Sequence, residues 1–136
     1  MPRVVTVYAP HEPDGSKLGL VSYRMSKLGP PTIKAWWDRR LLAFIALEGS
    51  HRLAAAAALK VPVTILKVVL EDMVCHDFQD LYPPGPERVG NMVDYILSGP
   101  LGKEREPWGP AYRLEATIRR YQTPDIDECP DAEEEA

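Results

Sequence analysis

The stretch Leu47-Glu48-Gly49-Ser50-His51-Arg52-Leu53-Ala54-Ala55-Ala56 passes from strand chemistry to helix chemistry across one polar corner that contains a glycine. Upstream, Leu41-Leu42-Ala43-Phe44-Ile45-Ala46-Leu47 is an unbroken apolar run, as expected for a strand buried on both faces. Downstream, Leu53 to Leu59 is nearly all alanine, the best helix former, so a helix is predicted over Ser50 to Leu59. A helix start leaves several backbone N–H groups without intrahelical partners and carries partial positive charge. An anion at this corner therefore meets donors already oriented toward it. His51 and Arg52 add side-chain donors for the same anion.

Outward from the corner, Thr32 to Asp38 alternates, with Ile33, Ala35 and Trp37 on one face and Lys34 and Trp36 on the other, which predicts a half-buried strand. Asp38-Arg39-Arg40 is short enough to turn it back as a hairpin into the apolar run. Val61 to Val69 predicts the strand after the helix, and Val4 to Tyr8 an early short strand. Pro10 to Gly19 is expected to be a loop, with Leu20 to Arg24 a short extended piece before the Gly29-Pro30-Pro31 break. The second half is expected to be helical. Val89, Met92, Val93, Ile96 and Leu97 recur at helical spacing, and Pro110 predicts a further helix with Leu114, Ile118 and Tyr121 on one face and Arg113, Arg119 and Arg120 elsewhere.

This order of strand, Gly49-Ser50-His51-Arg52 turn and alanine-rich helix resembles the ParB/sulfiredoxin superfamily, in which a strand runs into a Gly-x-His-Arg or related turn and the following helix cradles nucleotide phosphates. The resemblance covers Thr32 to Val69. It implies an α/β (α+β) fold: a small mixed sheet, a phosphate-binding helix after the central strand, and extra C-terminal helices. It also implies that Gly49, Ser50, His51 and Arg52 contact the phosphates of ATP, ADP or CTP, while Glu48 stands where many members carry an acidic residue. There are departures. Sulfiredoxins place their reactive cysteine immediately before the His-Arg pair, where this chain has Ser50, so sulfinic acid reduction by that route is not expected. The Gly-Glu-Arg-Arg pattern and helix-turn-helix domain of chromosome-partitioning members are not visible, whereas Glu48 matches the acidic residue that free-serine kinases use one place before the glycine.

If the chain is an enzyme, phosphoryl transfer or nucleotide hydrolysis is the expected chemistry, because it depends mainly on positioning and charge stabilisation. Glu48 would be the general base or metal-bridging acid, His51 and Arg52 would stabilise phosphate charge, and Mg²⁺ would be the companion ion. No second carboxylate is obviously placed to help Glu48. The alternative is a non-catalytic module of phage or plasmid type that binds a protein or DNA partner. The corner also has a purely structural explanation: Gly49 permits a tight turn, Ser50 caps the helix, and Arg52 pairs with a carboxylate. His51 argues against it, since an imidazole in the first turn has no packing advantage over leucine and its charged form is disfavoured there. Trp36 and Arg39, in a hairpin expected beside the corner, are open to a base-stacking and phosphate role or to a core role.

Composition sets the frame. A chain of 136 residues with 45% hydrophobic residues suits one domain, taken as 1–123, with a solvated acidic tail over 124–136. From Asp125 the tail holds seven acidic residues and no basic one, so the net charge of −4 conceals a body of −4 + 7 = +3. No apolar run approaches the ~20 residues of a membrane span and Met1-Pro2-Arg3 does not open a secretory signal, so a cytoplasmic protein without a membrane partner is expected. Cys75 and Cys129 are too far apart in sequence to suggest a disulfide framework or a zinc pair, and Cys75-His76-Asp77 is not a convincing metal or nucleophile cluster.

Overall fold

The computed structural model describes residues 3–76, 85–97, 107 and 109–122. Along the chain come β1 (Arg3–Tyr8), α1 (Gly15–Leu28), β2 (Thr32–Asp38), β3 (Ala43–Ala46), α2 (Ser50–Leu59), β4 (Val63–Val68), β5 (Met73–His76), β6 (Gly85–Arg88), α3 (Val89–Ile96) and β7 (Ala111–Arg120). The fold is mixed α and β. Five strands close into a barrel in the order β1-β3-β2-β4-β7, and β5 and β6 form a separate antiparallel pair. β2 runs antiparallel to β3 and parallel to β4, and β7 runs parallel to β4 and antiparallel to β1.

The alternation in β2 places Ile33 and Ala35 in a core shared with Val7, Phe44, Ala46, Val63, Ile65, Leu114 and Ala116, against which Leu53, Ala55 and Ala56 of α2 pack. β3 is buried on both faces, as its unbroken apolar run requires. Phe44 and Ala46 enter this core, whereas Ile45 and Leu47 enter a second one built with Val89, Met92, Val93 and Ile96 of α3. The expected helical stripe in α3 is thus wholly core, and Leu97 just beyond it is buried with the rest.

The β2–β3 turn is longer than expected. Asp38, 1% exposed, accepts bonds from the N–H of Arg40 (2.8 Å) and Leu41 (3.2 Å), so residues 39–42 form the turn and β3 begins only at Ala43. Two expectations fail outright. Leu20 to Arg24 is not extended but lies within α1, which Asp14 caps by accepting from Ser16 N–H (2.9 Å) and which ends at Gly29, φ 87°, whose N–H donates to Met25 O. Val21 and Met25 are one helical turn apart and face the core, which a strand would not allow. The helix expected from Pro110 is β7, in which Tyr112, Leu114, Ala116 and Ile118 point inward at period two and the strand closes the barrel between β1 and β4. The small mixed sheet expected from sequence is therefore a closed barrel, and where further C-terminal helices were expected α3 is the only helix beyond β4 among the described residues.

Strand directions give the barrel two ends. One carries the C-terminal ends of β1 and β3 and hence the starts of α1 and α2; the other carries the β2–β3 turn and the end of β7. Among the described residues, no helix is long and apolar enough to cross a membrane. The expectations for 124–136, for Cys129 and for Asp77 fall outside the described residues.

Candidate functional site

Gly49 makes the corner. It takes φ 82° and ψ 32° as the N-cap of α2, a backbone conformation that L side chains rarely adopt. A Cβ there would stand 2.7 Å from Ile33 Cδ1 and 3.2 Å from Arg52 Nη2, so glycine is needed for its backbone and for its size. Having no side chain, Gly49 also cannot cap α2. Among the described residues no side chain accepts from the N–H groups of Ser50, His51 or Arg52, in contrast to α1 with its Asp14 cap.

Around this uncapped turn the side chains of Glu48, Ser50, His51 and Arg52 separate into two groups. Toward α1, Ser50 is 2% exposed and its Oγ accepts from His11 N–H at 3.3 Å. His51 Nε2 accepts from Asp14 N–H at 2.8 Å, which leaves the ring proton on Nδ1 as a donor. The His11 and His51 rings meet edge to face with centroids 6.0 Å apart. Burial holds the His51 imidazole below the ordinary histidine range, reinforced by His11 and Lys17 and opposed by Asp14. The ring at this positive helix end is thus kept neutral, as the dipole would demand.

Toward β2, Glu48 Oε1 lies 3.5 Å from Lys34 Nζ and 3.4 Å from Arg52 Nη2, and Arg52 Nη1 donates to Thr32 O at 3.0 Å. Arg52 thereby ties the first turn of α2 to the start of β2. Its other flank borders a cleft of about 300 Å³ under α1, lined by the apolar Val21, Met25, Leu28 and Pro31 and by Arg24. Among the described residues no three His, Cys, Asp or Glu side chains converge, and the neighbours of Glu48 are cations. That donor set does not fit a metal held by the protein alone, since a divalent cation needs several oxygen ligands.

Trp36 and Arg39 are not part of this site. Trp36 packs against the α3 core, and the turn carrying Arg39 is at the opposite end of β2, about 20 Å along a strand of seven residues. Conversely, His11, Asp14, Lys17 and Lys34 were not singled out from the sequence. The first three lie in a Pro- and Gly-rich segment expected to be loop, where the Asp14 capping signal was the available clue. Comparison of the chain with family models, with curated proteins and with solved structures returns no match.

Proposed function

We propose that the Gly49–Arg52 corner receives the phosphate groups of a nucleotide such as ATP, ADP or CTP, and that the chain is a nucleotide-binding domain of the ParB/sulfiredoxin type. The observation that carries this reading is the uncapped first turn of α2, where a left-handed glycine leaves oriented N–H donors beside a buried Ser50 and a neutral His51. Anionic oxygens supply what those amides lack. Lys17 adds positive charge from α1, and the cleft bordering Arg52 is of a size and apolarity that suit a base. Mg²⁺ belongs to this reading only as an ion carried by the phosphates, where it would neutralise their charge.

The cation pair around Glu48 favours a second reading alongside it. A carboxylate engaged by Lys34 and Arg52, with no further carboxylate beside it, is better suited to holding the corner than to general-base catalysis, which favours a non-catalytic module with a protein or DNA partner over a phosphotransferase or hydrolase. Thermal denaturation with ATP, ADP, CTP, GTP, phosphate and sulfate, with and without Mg²⁺, tests the binding reading. A ligand at 100 times its Kd stabilises the fold by about 2.7 kcal/mol. Absence of any shift across the panel would refute the phosphate corner. Phosphate release from ATP that disappears in Glu48→Ala would establish turnover, and partner capture without nucleotide would establish the module.

A further inference from the structure

The loop between β1 and α1 is fastened to the start of α2 through two of its backbone donors. His11 N–H donates to Ser50 Oγ at 3.3 Å, and Asp14 N–H donates to His51 Nε2 at 2.8 Å. The second bond is the shorter, and it holds the residue whose carboxylate caps α1, accepting from Ser16 N–H at 2.9 Å and from Ser16 Oγ at 2.8 Å. α1 has little else to fix its start. Met25, near its C-terminal end, is the only buried residue among its 14, and Val21, one turn earlier, is partly buried against the barrel core. Gly15 and Gly19, in the first half, meet nothing within 4 Å of their virtual Cβ atoms and weaken the local preference for helix. The N-terminal half of α1 therefore depends on the loop, and the loop on Ser50 and His51.

Only a neutral imidazole can make the bond to Asp14. Nε2 accepts through its lone pair, and a proton there turns it into a donor that faces the Asp14 N–H. Among the described residues, the titratable and charged groups facing His51 are His11 and Asp14 of the loop and Lys17 of α1. Burial disfavours the charged ring most, His11 and Lys17 add to this, and Asp14 opposes it. A charge on His11 as well, with its ring centroid 6.0 Å away, would add repulsion across the same junction. Opening the junction returns His51 to water and to its ordinary affinity for protons, so acid favours the open form. We propose that His51 is a proton-operated latch: its neutral ring holds the β1–α1 loop and the first turn of α1 on the corner, and uptake of a proton frees them while the barrel stays folded. Because the latched ring takes a proton less readily than the free one, the latch is closed above the ordinary histidine value of 6.5 and opens as pH falls below it.

Hydrogen–deuterium exchange of the full chain, read on proteolytic peptides and corrected for the intrinsic pH dependence of amide exchange, tests the latch between about pH 7.5 and about pH 5. In wild type the segment 11–18 should lose protection at least about threefold on acidification, while segments from β2 and β4 keep theirs. His51→Gln, which can accept from Asp14 N–H without titrating, should abolish that pH dependence. His51→Phe, which cannot accept, should leave the segment weakly protected at both pH values; if this variant does not fold, wild type against His51→Gln decides alone. His11→Gln should retain most of the change. The proposal is overturned if the segment keeps its protection at low pH, if its loss persists in His51→Gln, or if the loss disappears in His11→Gln. Equal losses in β2 and β4 would overturn it too, because the opening would then be global rather than confined to the latch. None of these outcomes depends on a nucleotide at the Gly49 corner.

Discussion

Replacing Gly49 by alanine tests the geometry on which the corner rests. Two costs combine. An L-residue held at φ 82° loses about 1–2 kcal/mol relative to glycine. The new Cβ, 2.7 Å from Ile33 Cδ1, must also displace a side chain that is fully buried in the barrel core, and overpacking of this kind costs about 1–3 kcal/mol. Gly49→Ala should therefore lose about 2–5 kcal/mol, a fall of about 7–18 °C in Tm for a domain of this size. Two other glycines separate these contributions. Gly29 has φ 87° with nothing within 4 Å of its virtual Cβ, so Gly29→Ala should lose only the backbone part, about 1–2 kcal/mol. Gly19 sits inside α1 with ordinary φ and open space, so Gly19→Ala should gain about 0.5–1 kcal/mol. Urea denaturation of the three variants at constant m-value is the assay. If Gly49→Ala cost no more than Gly29→Ala, the contact with Ile33 would not be the constraint deduced above, and the corner would be no tighter than an ordinary helix end.

Three further outcomes are expected. Because the His51 pKa is lowered in the folded state, the unfolded chain binds more protons between that lowered value and the ordinary histidine value of 6.5; the His51 contribution to stability is therefore fully present above pH 6.5 and is lost as pH falls through this window. Melting temperatures measured across that window should show a shallower decline in His51→Gln, which retains an acceptor for Asp14 N–H without titrating, and an unchanged profile would contradict the assignment. Asp38→Ala should cost about 2 kcal/mol by leaving the N–H groups of Arg40 and Leu41 without their acceptor, with Asp38→Asn milder; equal losses from both would mean that charge, not acceptance, matters. Arg52→Ala should reduce stability by about 1–2 kcal/mol through loss of its charge-assisted bond to the Thr32 carbonyl, and a variant as stable as wild type in denaturant would show that the tie between α2 and β2 is idle.

What could be read from the sequence depended on whether a segment had one periodicity or two. The bounds of α2 at Ser50 and Leu59 and of β2 at Thr32 and Asp38 follow directly from an alanine run and a strict alternation. β7 was harder. Leu114 and Ile118 stand four apart, which satisfies a helix and, as two steps of two, a strand equally well, and only the partners β1 and β4 decide between them. α1 had proper start and stop signals in Asp14 and Gly29, but Gly15, Gly19 and the nearby prolines dilute its periodicity, so its helical state is secured by packing on α2 and the barrel rather than by propensity. Barrel closure could not be read locally at all, because it depends on β7 returning to β1 across most of the chain.

The corner shows the same limit at the scale of single residues. Its sequence presents Ser50, His51 and Arg52 as three equivalent phosphate donors, but consecutive residues in a first helical turn point about 100° apart, and each has met a different neighbour. Ser50 turns inward to His11, His51 to the loop ahead of α1, and Arg52 to β2 and Glu48. Only the backbone N–H groups share one direction, along the helix axis and out of its N-terminal end. The anion-binding capacity of the motif therefore resides first in the main chain that Gly49 shapes. The side chains hold that shape from three sides, which is why a substitution at Gly49 should disturb the corner more than any one of them.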